Sequence, residues 1–186
     1  SRAGIAYSYN TGEKMVRYTD EQIVNLIQKD FKNKKINILS PIIRSRKGHY
    51  RDLVRKILKK GYVKVRIDGE IRDIIPGMKL DRYVTHDIEI VIDRLKVTKE
   101  NNNRIISSIK TALKDGDGVM MVLNHDTNEI RYFSKNLMCP TTGIAYKNPE
   151  PNNFSFNSPK GACQDCNGLG FYKKADIKKI IPDAKL

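Results

Sequence analysis

Long apolar runs are missing from this chain. No stretch approaches the roughly 20 apolar residues that a membrane-spanning helix needs, and the opening Ser1-Arg2-Ala3-Gly4 lacks the apolar core of a secretory leader. A cytoplasmic protein is the expectation. Cysteine is scarce and odd in number: Cys139, Cys163 and Cys166 are the full set. That argues against a secreted disulfide framework and for reduced thiols or a metal site. No Gly-x-x-x-x-Gly-Lys-Ser/Thr loop occurs to cradle nucleotide phosphates, and no Ser/His/Asp order stands out. His49, His86 and His125 fall in separate segments without metal-ligand spacing. The chain is therefore expected to carry no catalytic residues of its own. An initiator Met is also absent, and the opening reads as the middle of a longer protein.

Acidic residues are in deficit. Thirty-five Lys and Arg face twenty-one Asp and Glu, a formal charge of +14 in 186 residues. Such a balance points to a polyanionic partner, nucleic acid first, or to a lysine-rich solvated surface. A hydrophobic content of 39% is ordinary for a chain that buries one core and carries a smaller appendage.

Residues 1–18 show no trustworthy period and read as a connecting segment. Thr19-Asp20-Glu21-Gln22 is a capping box, and Ile23, Val24, Ile27 and Phe31 continue it as an amphipathic helix. Ile36 to Ile43 reads as a short strand that Pro41 assigns to an edge or a bulge. Arg44-Ser45-Arg46-Lys47-Gly48-His49 then reads as a basic loop. The clearest helix follows, with Tyr50, Leu53, Val54, Ile57 and Leu58 at i, i+3, i+4, i+7 and i+8, and Gly61 closing it.

The next strand puts Val63, Val65 and Ile67 on one face and Lys64 and Arg66 on the other. Asp68-Gly69 signals a hairpin; a three-residue loop would set Ile67 against Ile71 and keep the apolar faces together. After a Pro76-Gly77 turn comes a long strand, His86 to Val97. Ile88, Ile90 and Ile92 share a face there, yet Leu95 and Val97 lie out of phase, so a bulge near Asp93-Arg94 is predicted. A third amphipathic helix, capped at Asn101–Asn103 and stopped by Asp115-Gly116, leads to strands at Val119–Leu123 and Glu129–Phe133. The expected class is α+β: a mixed, largely antiparallel sheet covered by amphipathic helices, spanning 19–134.

From about residue 135 the character changes, with most of the prolines, all the cysteines and many Asn and Gly. This reads as a small irregular zinc-ribbon-like appendage, 135–186, with a short amphipathic segment at 175–181. Cys139-Pro-Thr-Thr142 and Cys163-Gln-Asp-Cys166 have the layout of a zinc ribbon, but Thr142 puts a neutral hydroxyl where a thiolate belongs. The expectation is at most substoichiometric zinc on Cys139, Cys163 and Cys166. The basic residues give two candidate surfaces. Arg44, Arg46, Lys47, Lys56, Lys59 and Lys60 are positioned to neutralise DNA phosphates. Lys64, Arg66 and Arg94 are candidates for a partner protein, Arg94 because a bulge would re-aim it.

Two stretches carry a resemblance. Phe154 to Gly170, reading FSFNSPKGACQDCNGLG, resembles the cysteine-containing insertion of the UvrA family of excinuclease subunits. The run Ile38-Leu39-Ser40-Pro41-Ile42-Ile43 with Arg46-Lys47-Gly48, then Gly61 to Glu70 and His86 to Arg94, resembles that family's UvrB-binding domain. The resemblance implies a domain of a DNA-damage sensor in nucleotide excision repair. The whole protein would be a homodimeric ABC-type ATPase using ATP and Mg, and it would load UvrB on DNA. It also implies that basic residues matching Lys64 and Arg94 meet acidic groups of UvrB, whereas Arg66 comes from strand phase alone. Two departures stand against the pattern. Tyr7 to Gly12 lacks the family's Cys-Pro-x-His element, and Thr142 breaks the first cysteine pair. The alternative expectation is a DNA-contacting module of a divergent paralogue.

Overall fold

The computed structural model describes residues 4–146 and 149–171. The elements run α1 (Asp20–Asp30), β1 (Lys35–Lys47), α2 (Arg51–Lys59), β2 (Lys64–Ile67), β3 (Glu70–Asp73), β4 (Thr85–Lys96), α3 (Asn102–Asp115), β5 (Val119–Asn124), β6 (Ile130–Ser134), β7 (Leu137–Met138) and β8 (Ala145–Tyr146). The first six strands form one antiparallel sheet in the order β3-β2-β4-β1-β5-β6, and β7 pairs with β8. The chain divides into two compact units; the described part of the larger is 5–146, and of the smaller 149–171 with Gly4. The segment at 175–181 lies outside the described residues.

All three helices cover one face of the sheet. Ile23, Ile27 and Phe31 of the first helical segment and Ile105, Ile109, Ala112 and Leu113 of α3 pack on Ile36, Ile38, Leu95, Met120, Val122 and Phe133. Val54 and Ile57 of α2 pack on Val65, Ile67, Ile88 and Ile90, and Ile92 touches both clusters. Burying an Ile or Leu contributes about 1.5–3 kcal/mol, so the helical stripes hold the sheet flat against them. The capping box forms as expected: Gln22 N–H donates to Thr19 Oγ1, and Thr19 N–H donates to the Gln22 side chain. Gly61 adopts the left-handed conformation, φ 88°, that ends α2.

Four local expectations change. β1 does not stop at Ile43 but runs on to Lys47, so Arg44, Arg46 and Lys47 belong to a strand; Arg46 and Lys47 pair with His86 and Thr85 of β4. Of the two alternatives for Pro41, the edge fails and the bulge holds: β1 lies inside the sheet, pairing with β5 ends at Leu39, and a register shift follows between Pro41 and Ile43. The hairpin has two residues in its loop, since Ile67 opposes Glu70 and Asp68 and Gly69 both take positive φ, 50° and 94°. This is the primed turn that Asp-Gly favours. It places Ile71 opposite Arg66, 40% exposed, and it wins because the Asp68 carboxylate is held by His86 and by the Asp87 N–H. Val63 lies just ahead of β2 and is exposed.

The bulge in β4 sits one residue from its expected place. Ile38 opposes Asp93 and Leu39 opposes Val91, which leaves Ile92 as the extra residue. Ile92 and Asp93 then share the helix side, Leu95 and Val97 regain the core, and Arg94 turns to the other face. Asp93 is fixed there by Arg104 and Ser108 of α3, at 2.6 and 2.7 Å.

Candidate functional site

The sheet's other face carries no helix. It has a small apolar cluster, Leu39, Met121 and Leu123 with Val91, Ile130 and Tyr132, and around it the strands present polar side chains. A cleft of about 940 Å³ beside β1 is lined by Arg44, Arg66, Glu89, Tyr132, Gly143 and Tyr146 among others. The β7–β8 hairpin closes on this face through Gly143. Its φ is +66°, and a Cβ there would lie 2.3 Å from the Tyr132 ring. Arg44 stacks on the same ring, 4.6 Å from its centroid, and donates to Gly143 O at 2.6 Å.

The three residues proposed for a partner protein meet different fates. Arg66 is largely buried and pairs with Glu89 across β2 and β4, 3.3 Å, with side-chain exposures of 13% and 6%. Burial is the main influence on Glu89 and raises its pKa, with Arg66 opposing. Arg66 Nε and Glu89 Oε2 find no hydrogen-bond partner among the described residues. Lys64 is exposed and pairs with Asp73 at 2.5 Å. Arg94 is exposed, and among the described residues no carboxylate lies within ion-pair distance; its guanidinium reaches His125.

The DNA candidates divide as well. Arg46, Lys47, Lys56 and Lys59 are exposed and form no ion pair among the described residues. Arg44 is half-buried in its clamp on Gly143. Lys60 is tied to Asp115 at 2.8 Å, beside Tyr62, whose hydroxyl donates to the same carboxylate at 2.6 Å. Burial first, and then the Asp115 carboxylate, push the Tyr62 hydroxyl up to about 12. Arg44 is committed to the Gly143 carbonyl, whereas Lys60, with its side chain 56% exposed, holds Asp115 and keeps an open side.

Cys139 is buried in the larger unit with its Sγ 3.3 Å from Thr11 Oγ1 and 3.4 Å from Glu13 Oε2. The Thr11 and Thr142 hydroxyls bring its thiol down to about 7. Thr142 spends its hydroxyl on the Ile144 N–H, at 3.3 Å, inside the turn. In the smaller unit the Gly170 N–H donates to Cys166 Sγ at 3.3 Å, and the backbone N–H groups of Gly170 and Gly168 lower that thiol. Cys163 and Cys166 keep the two-residue spacing of a cysteine pair. The donor set does not fit a tetrahedron of four thiolates, because Thr142 supplies a hydroxyl already committed to the turn.

Sequence reasoning missed His125, whose value depends on a neighbour two strands away, and the docking of the first segment. Val16 pairs with Met138, and the Tyr18 N–H donates to Ser134 O.

Residues 19–126 match the UvrA interaction domain. The chain is 38% identical over 186 residues to UvrABC system protein A of Methanothermobacter thermautotrophicus, covering 98% of this chain and 19% of that protein. It is 36% identical to the proteins of the same name from Mycobacterium bovis, over 189 residues, and Thermus thermophilus, over 183. These alignments cover 98% and 97% of this chain and 19% of each relative, so the chain spans about a fifth of their length. No helix among the described residues is long and apolar enough to cross a membrane.

Proposed function

The chain belongs to the UvrA family, through its match to the UvrA interaction domain, and from that premise we propose that its helix-free sheet face docks UvrB during nucleotide excision repair. The whole protein would act in the cytoplasm as a dimeric, DNA-bound ATPase that takes ATP and Mg at sites outside this chain. The piece described here is a docking module and not itself an enzyme, since its sequence has no phosphate-binding loop.

The observation that carries the docking reading is Arg94. The β4 bulge turns it away from the core onto the helix-free face, exposed and with no carboxylate at ion-pair distance among the described residues. A cation so placed is available to an acidic partner. Lys64 lies on the same face, paired only with exposed Asp73. Arg66, buried against Glu89, supports that surface from below.

Charge reversal tests the reading. Arg94→Glu and Lys64→Glu are expected to weaken UvrB binding at least tenfold, about 1.4 kcal/mol, with circular dichroism unchanged. Parent-like affinity from both folded variants would sink it. Exposed Arg46, Lys47, Lys56 and Lys59 favour a second reading, direct contact with DNA. Duplex titration at two salt concentrations separates the two, because phosphate contacts give an affinity that falls steeply with salt.

A further inference from the structure

We infer that His125 is a positioning residue for Arg94, holding the guanidinium across the helix-free face in the orientation that an acidic partner meets; this rests on the docking reading above. Arg94 Nη2 lies 2.7 Å from His125 Nε2 and 3.5 Å from Nδ1. A guanidinium has donors only. A hydrogen bond between the two therefore uses the ring nitrogen as acceptor.

Both ends of this contact are fixed by the fold. The bulge at Ile92 sets the face on which Arg94 emerges. On the other side, the His125 N–H donates to Lys35 O at 2.9 Å, carrying the β1–β5 ladder one bond further. Asn124, buried, then accepts the Asp126 N–H on its side chain at 3.0 Å and the Asn128 N–H on its carbonyl, which pins the turn. Strand β1 runs between the two residues, with Asn37 opposite Arg94 on one side and Leu123 on the other. Two strand spacings are about 10 Å. Arg94 thus lies stretched across β1 toward the imidazole. Asn37 beneath it is buried, and its amide nitrogen makes no hydrogen bond among the described residues.

An arginine without such a hold must give up its side-chain freedom when the partner docks, and a pre-oriented one has less to lose. His125 supplies the hold without neutralising the charge, as a carboxylate at the same place would. The Lys64–Asp73 and Arg66–Glu89 pairs show that alternative on the same face.

The test is a double-mutant cycle by titration calorimetry of the 186-residue chain against UvrB. His125→Ala is expected to weaken binding about fivefold. In the Arg94→Ala background the same change should add nothing, and His125→Gln, which keeps an acceptor, should bind like the parent. The ring makes none of the turn's backbone bonds, so thermal melts should not move. If His125→Ala does melt early, His125→Gln against donor-only His125→Lys asks the same question, with Lys expected to match Arg94→Ala. Unchanged binding by His125→Ala while Arg94→Ala loses affinity overturns the role of His125 and leaves the docking face standing. Multiplying effects of the two alanines show that His125 acts by another route and overturn it too. Unchanged binding by Arg94→Ala removes the docking reading and this inference together.

Discussion

His86 sits between two acceptors. Its Nδ1 is 2.7 Å from Asp68 Oδ2 and its Nε2 is 2.8 Å from Asp81 O, and the ring is buried. A neutral imidazole donates to one of them, an imidazolium to both. The Asp68 hydrogen bond is the main reason its pKa is raised, against the opposing effect of burial. For Asp68, burial pushes upward, but the His86 bond and the Asp87 N–H outweigh it and the net shift is downward. The signs then follow. The His86 contribution is complete below its unfolded value, near 6.5, and is lost as pH rises through the raised folded value. The Asp68 contribution is present above about 3.8 and is lost as pH falls through its lowered one. Stability should therefore decline as pH rises past about 6.5, and His86→Leu should flatten that limb in urea melts across pH. A limb that survives in the variant would assign it elsewhere. Arg66 is the second residue with a decided role. Removing it strands Glu89 in the interior, so Arg66→Ala should cost about 3–5 kcal/mol, and Arg66→Met with Glu89→Leu should recover most of that. A loss below 1 kcal/mol would mean that Glu89 takes up a proton at little cost.

Among the elements, those with a dense local signal were legible. The stripe Tyr50, Leu53, Val54, Ile57 and Leu58 and the Thr19–Gln22 box each declare a helix within one or two turns, and the phase break after Ile92 declares the bulge. The illegible parts depend on residues far away. The end of β1 looks polar and loop-like, yet His86 and Thr85 pair with it. The Asp68-Gly69 loop length is set by His86 and Asp87, and the Arg66–Glu89 pair needed the strand order. Gly116 was legible for a different reason from the one that operates. It ends α3, but its φ of −93° needs no glycine. What needs it is space, because a Cβ would fall 2.1 Å from Val119 O and 2.8 Å from Ser40 Oγ. Gly116→Ala should cost about 1–3 kcal/mol, read as a lower urea midpoint with α3 retained. An unchanged midpoint would mean that the α3–β5 link yields freely.

At the scale of the molecule, the cations behind the +14 charge divide into those that join elements and those that do not. Lys60, Arg66, Arg104 and Arg131 are spent joining elements, to Asp115, Glu89, Asp93 and Asp30. Others are exposed and form no ion pair among the described residues: Arg46, Lys47, Lys56, Lys59 and Arg94, and also Lys32, Lys35, Lys96 and Lys110. Composition announced a basic surface but could not say which cations hold the fold and which remain for a partner. That division depends on which carboxylate the topology brings beside each. The two units are likewise distinct in their means: the larger rests on an apolar core, whereas in the described part of the smaller, Phe154, Phe156, Leu169 and Phe171 are exposed.

The extra residue in β4 acts as a parity bit for the strand. Before it, even-numbered positions belong to the interior; after it, odd-numbered ones do. A one-residue gain or loss anywhere between Ile90 and Leu95 would exchange the two sides downstream, sending Leu95 and Val97 to water and Arg94 into the apolar layer. Substitution can wander through this segment, but length cannot. Evolution here is confined to spelling changes, and relatives that keep a cation at position 94 should differ in length at 74–84 and never within this strand.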